Sequence, residues 1–289
     1  MKPENINPAL CTVRDFLPND KDHNQIYKEI IHMDFWWGVL ELAGGFDIIF
    51  FSMKDGSDLS VQLNRELSYI QLLHYTVFIK LAGAHFQWEN MQRYLLPDII
   101  EKYSSEHRAF FMKECFDAIH SDLYQSVTAL SNQIYILMDR ADLKPVKTDE
   151  KKQISMSPSD ILYWLKLNNH QYFLTIKSIF KKCEKFLDIR HHITHYGVIP
   201  VYRDTRSGNI LLQKEFQIGG VLNKDDLKAY HYGGGPMISA VEISEKRLNG
   251  LVDEINNLYK YMFKLNIIEE YFLHKGLSIK ETYQPYWMK

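Results

Sequence analysis

Met112, Phe116, Ile119, Leu123, Val127, Leu130, Ile134 and Leu137 recur at steps of three and four within residues 105–140. That spacing keeps eight apolar side chains on one side of a 3.6-residue helix, whereas a strand would scatter them over both faces. A helix this long must bury its stripe against other helices, which constrains the fold more than any other feature of the chain. Matching patterns exist elsewhere. Leu63, Leu67, Ile70, His74, Val77 and Leu81 form one stripe, continued by a further helical piece up to about Pro97. Leu248, Leu251, Ile255, Leu258, Met262 and Leu265 form another, with Gly276 as a C-terminal stop. Between them, residues 157–195 open with Ser157 as N-cap and Pro158 at the first helical position, with Asn168-Asn169 as a kink.

One stretch has a different texture. VIPVYRD and ILLQKEFQI alternate β-branched and polar residues around TRSGN, the pattern of a hairpin with a Ser-Gly turn. The expected fold class is therefore all-α, a mainly helical bundle with a β-hairpin inserted around residues 198–218 before its last helix. The glycine run at 233–235 closes a loop back to helix; it lacks the GK[ST] ending and the GxGxxG spacing of a phosphate loop. Tyr230, His231 and Tyr232 before it read first as a plain loop, with a groove rim that stacks bases as the alternative. The 289 residues divide into an N-terminal, mostly helical region at 1–103, packed on or separate from a bundle at 104–289.

Bulk properties exclude several classes. Apolar residues are 46% of the chain, too many for a disordered protein. A net charge of -2 with a pI near 6.6 excludes a globally basic nucleic-acid binder, so any polyanion site must be a local patch. Cys11, Cys115 and Cys183 are odd in number and have no CxxC spacing, which fits a reducing, cytoplasmic location and no zinc site. The most apolar stretch, residues 34–53, carries Asp34, Glu41 and Asp47 and is interrupted by Gly44-Gly45. It reads as a core segment rather than a membrane span, and no secretory signal is expected at the N-terminus.

Chemistry concentrates in FLDIRHHITHYG at 186–197. The stripe Ile176, Ile179, Cys183, Leu187 puts Arg190 next in phase, a guanidinium where the pattern asks for an apolar side chain. His191, His192 and His195 follow at once. Arg offers a rigid fork of donors matched to phosphate oxygens, and His exchanges a proton near neutrality. Together they suffice for RNA cleavage without metal or other cofactor. His takes the ribose 2′-OH proton, the freed oxygen attacks phosphorus, and Arg stabilises the charge that builds there. The 2′-OH selects RNA over DNA. On one regular helix, however, residues five apart lie about 140° apart around the axis and about 7.5 Å along it. Either the helix ends before His195, or a second copy of the chain completes the site about a two-fold axis.

Arg190-His191-His192-Ile193-Thr194-His195 resembles the R-x4-6-H motif of the HEPN superfamily (higher eukaryotes and prokaryotes nucleotide-binding), in which a polar residue commonly follows the Arg, as His191 does here. The resemblance covers roughly residues 104–276. It implies a helical bundle, a homodimer with the motif at its interface, and a metal-independent endoribonuclease acting in a toxin or phage-defence role, with a neutralising antitoxin protein as partner in the toxin case. Some members are inactive modules that bind a nucleotide, RNA or a partner protein. Carried to this sequence, Arg190 and His195 are the catalytic pair, His191 assists or orients, and Thr194 donates a hydrogen bond. The chain departs from the pattern in three ways: the hairpin is an addition, residues 1–103 have no counterpart, and Tyr196 adjoins His195 where some relatives carry a Tyr one place further on.

Rival readings exist for each residue. Arg190 can snorkel to water at a helix end. His191 and His195, an i, i+4 pair, can hold zinc, but a catalytic zinc wants a third protein ligand and no HExxH is present. Lys177, Lys181, Lys182 and Lys185 read as a solvated face diluted by Glu184 and Asp188, or, with Tyr196, as a surface guiding RNA toward Arg190. His74, on its apolar stripe, reads as a core histidine.

Overall fold

The computed structural model describes residues 61–139, 143, 156–196, 202–204, 209–213, 237–264 and 267–276. The protein is mainly α-helical. In chain order the elements are α1 (Val61–Arg93), α2 (Pro97–Lys102), α3 (Ser105–Met138), α4 (Pro158–Leu167), α5 (Phe173–Tyr196), β1 (Tyr202–Arg203), β2 (Ile210–Gln213), β3 (Met237–Ser239), α6 (Ala240–Lys264) and α7 (Ile267–His274). All eight stripe residues of α3 are buried, as the periodicity requires. Burying a side chain of this size fully contributes about 1.5–3 kcal/mol, so the stripe outweighs any intrinsic helix preference. Among the described residues no helix is long and apolar enough to cross a membrane. The apolar block at 34–53, the loop at 140–155 apart from Leu143, and the glycine run lie outside the described residues.

Contacts divide the chain into two compact units. The first takes Met1–Phe78, Val127–Ile179 and Asp253–Lys289; the second takes Ile79–Ser126 and Phe180–Val252. The long helices contribute to both: α1 and α5 begin in the first unit and end in the second, while α3 and α6 run the other way.

In the first unit Leu67, Ile70, Leu130, Ile134, Trp164, Ile176, Leu258 and Phe272 are buried. A polar chain threads this core. Gln133 Nε2 donates to the Ile70 carbonyl at 3.4 Å, Tyr259 OH donates to Gln133 Oε1 at 3.0 Å, and His74 Nδ1 meets the Tyr259 hydroxyl at 2.8 Å. With the phenol proton given to Gln133, the phenol oxygen accepts from His74 Nδ1–H, which fixes the tautomer. His74 is thus a bonded core histidine. A capping box starts α4: Ser157 Oγ accepts from the Asp160 amide at 3.3 Å, and Asp160 Oδ2 accepts from the Ser157 amide at 3.0 Å. The expected kink at 168–169 is a full stop. Asn169 adopts φ 48°, the His170 amide donates to the Leu165 carbonyl at 2.9 Å, and the Asn169 amide donates to the Lys166 carbonyl at 3.1 Å. That is a Schellman ending with Asn, one of the few residues that tolerate the left-handed region, in the critical position.

In the second unit Met112, Phe116, Ile119, Leu123, Phe180, Cys183, Leu187 and Leu251 form the core. The hairpin exists as β1 and β2, paired antiparallel with Tyr202 opposite Leu211 and Arg203 opposite Ile210. β3, not expected from the sequence, adds a third antiparallel strand with Leu212 opposite Ile238. Ile210 and Leu212 point to one face and are buried, the period-2 pattern of a one-sided sheet. Ser239 Oγ accepts from the Val241 amide at 3.2 Å and from Asn209 Nδ2 at 3.1 Å, so one hydroxyl joins the sheet to the start of α6. Arg203 pairs with Glu106 at the start of α3.

Candidate functional site

α5 runs without a break from Phe173 to Tyr196. Its stripe is buried at Ile176, Ile179, Phe180, Cys183, Leu187 and Ile189. The helix therefore does not end before His195, and the first of the two geometric options is closed. At 100° per residue, the backbone position of Arg190 stays with the buried stripe, and that of His195 falls in the sector of Lys177, Lys181 and Lys185. The motif is split between two faces of one helix. The side chains of His191, His192, Thr194, His195 and Tyr196 lie outside the described residues.

Arg190 is half-buried, and its guanidinium lies over the Tyr124 ring of α3 at 5.6 Å. This accounts for the misfit in the apolar pattern: a weakly hydrated cation lies over an aromatic face, and the residue is only half-buried. Tyr124 is a site residue that sequence reading missed. It stands beside Leu123 of the α3 stripe, and no signal in the sequence joins position 124 to position 190.

Lys177, Lys181, Lys182 and Lys185 are all exposed, with Glu184 exposed among them. Lys177 lies over the Phe173 ring at 5.6 Å. The row is a solvated basic face, diluted but continuous over two turns.

Arg247 of α6 is buried, and its Nη1 donates to the Lys185 carbonyl at 3.2 Å. A few residues further along α6, Gly250 admits Phe186: a Cβ there would stand 2.4 Å from the Phe186 ring. Together these fix α5 against α6 just before the motif. His120 of α3 is also buried, edge-on to Phe116 at 4.5 Å, and among the described residues neither ring nitrogen has a hydrogen-bond partner. Burial first, then the charges of Arg247 and Lys113, hold His120 well below the usual imidazole range, so it is neutral. Among the described residues no group of three His, Cys, Asp or Glu side chains converges as a metal site requires.

No protein-family model, no curated protein and no solved structure matches the chain.

Proposed function

We propose that the chain is a metal-independent endoribonuclease of the HEPN type, acting as a homodimer, with Arg190 and His195 as its catalytic pair. The observation that carries this reading is the continuity of α5 through the motif: an Arg presented beside a tyrosine ring, then a His one and a half turns later on the lysine face, at the end of a long helix in a mainly α-helical chain. One copy places the backbone positions of Arg190 and His195 on different faces of α5. Two motif ends meeting about a two-fold axis bring an Arg190 from one copy to a His195 from the other.

In that site His195 removes the 2′-OH proton. The new oxygen–phosphorus bond forms as the bond to the 5′-oxygen breaks, and the leaving 5′-oxygen takes a proton from solvent water. The products are a 2′,3′-cyclic phosphate and a 5′-hydroxyl. Arg190 neutralises charge on the phosphoryl oxygens, His191 orients or assists, and Thr194 donates a hydrogen bond. Lys181, Lys182 and Lys185, with Tyr196, guide the RNA backbone through sequence-independent phosphate contacts.

The test is cleavage of a structured RNA by the purified chain in excess EDTA. His195→Ala should reduce the rate by about 100-fold or more, the scale of general base catalysis, with unchanged circular dichroism, and the wild-type products should carry cyclic phosphate ends. Cutting that persists in His195→Ala, or that EDTA stops, overturns the reading. A second reading is favoured by the position of Arg190 over the Tyr124 ring, a contact that a purely structural Arg would also make. There the same fold binds RNA or a nucleotide without cutting, and Arg190→Ala alters assembly or binding alone.

A further inference from the structure

In the second unit the residues after α1, the whole of α2 and the start of α3 leave an apolar patch in solvent. Leu96, Ile100 and Tyr103 recur at steps of four and three, the spacing of one helical side. That side should pack on something, yet α2 buries none of its residues. The row continues into a cluster of rings. Burial, then Cys115 and Tyr103 nearby, raise the Tyr94 phenol, which puts Tyr103 beside it. Tyr94 stacks on Phe111 at 5.4 Å with the planes 7° apart, and Phe110 meets Phe111 edge-on at 5.7 Å. Phe110 is 61% exposed, and Leu96, Ile100, Tyr103 and Phe111 are exposed with it.

Size and charge select what covers such a patch. At about 200 Å² for a side chain of this kind, the five exposed residues leave about 450 Å² of mostly apolar surface in solvent. A stable protein interface of standard size buries about 800 Å² per partner, of which about 55–65% is apolar. The patch therefore supplies the apolar core of one such interface. The charges interleaved with it are Arg93 and Lys102 against Asp98, Glu101 and Glu114, all exposed. Glu106 and Lys113 are already paired, with Arg203 and Asp117. Two cations among three carboxylates do not suit an RNA backbone or an anionic lipid surface, both of which want a basic rim. They leave little net charge to push two copies of the same face apart.

We infer that this patch is the self-association surface of the chain: two copies meet there about a two-fold axis, each covering the other's Phe110 and Ile100. The surface sits beside the motif. Arg190 lies over Tyr124, about 27 Å along α3 from Glu106. Arg203, which follows the motif, pairs with Glu106 in the first turn of α3, next to the patch. That self-association brings two motif ends into one site rests on the ribonuclease reading; the surface itself does not.

The experiment is sedimentation velocity of the full chain over a concentration series. The wild type should form a dimer. Phe110→Asp and Ile100→Asp each place a charge at an exposed position, where folding is little affected. With unchanged circular dichroism, each should weaken dimerisation by about 30-fold or more, the scale of an interface hot spot. Leu174→Asp, at a position 75% exposed outside the patch, should leave the dimer intact. A wild type that stays monomeric, a dimer indifferent to both patch variants, or a dimer lost equally in Leu174→Asp overturns the inference. A wild-type dimer that the patch variants split, in a chain that cuts no RNA, upholds the surface and removes the ribonuclease reading alone.

Discussion

His120 shows how one side chain sets a property of the whole chain. The imidazole is buried and neutral, with no hydrogen-bond partner among the described residues for either nitrogen and two cationic neighbours, Arg247 and Lys113. Its folded-state pKa is depressed, so as pH falls through about 6.5 the unfolded chain takes up the proton and the folded chain does not. Stability is therefore complete above that pH and declines below it, with a slope approaching about 1.4 kcal/mol per pH unit from this group. His85 is lowered too, chiefly by burial with Glu89 opposing, and adds to the same decline. In His120→Leu the His120 share should vanish. Urea unfolding at pH 7, 6 and 5 should show the variant gaining on the wild type as pH falls; a constant difference would mean that His120 charges as easily folded as unfolded. In the sequence His120 is merely the polar neighbour of Ile119. Its isolation depends on α6 bringing up Arg247, which no local pattern encodes.

At the scale of elements, Gly250 joins sequence and packing. A glycine inside a helix costs about 1 kcal/mol relative to Ala. It stands here because a Cβ would lie 2.4 Å from the Phe186 ring of α5. Overpacking costs about 1–3 kcal/mol, so Gly250→Ala should lose stability despite its better helix propensity, by about 1 kcal/mol, and Gly250→Ala with Phe186→Leu should recover it. Urea midpoints measure both, and a stabilised single variant would mean that the ring yields freely. Where long apolar periods dominate, as along α3, the sequence predicts the helix to within a couple of residues. It is less informative where single residues decide. The stop after α4 depends on Asn169 entering the left-handed region, and β3 is three residues whose pairing partner lies beyond a long intervening segment.

At the scale of the whole molecule, the continuity of α5 becomes a quantitative test of the proposed dimeric site. Arg190 stays in phase with the buried stripe and His195 falls on the lysine side, about 140° away on the same helix. If one active site takes its Arg from one copy and its His from the other, Arg190→Ala and His195→Ala homodimers are both dead, because each site lacks one partner. A heterodimer of the two variants has one site with both residues lost and one site with both intact. Random pairing makes half the dimers heterodimers, each with one working site of two, so a co-expressed mixture should recover about a quarter of wild-type activity. Purification with two different affinity tags should raise this to about half per heterodimer. If each copy instead builds its own site, every subunit in the mixture carries one lesion and no recovery occurs at any ratio. The recovered rate in EDTA, at protein concentrations well above that needed for dimerisation, therefore separates a shared site from two independent ones. It does so without reference to the RNA sequence, because both variants and the mixture meet the same substrate.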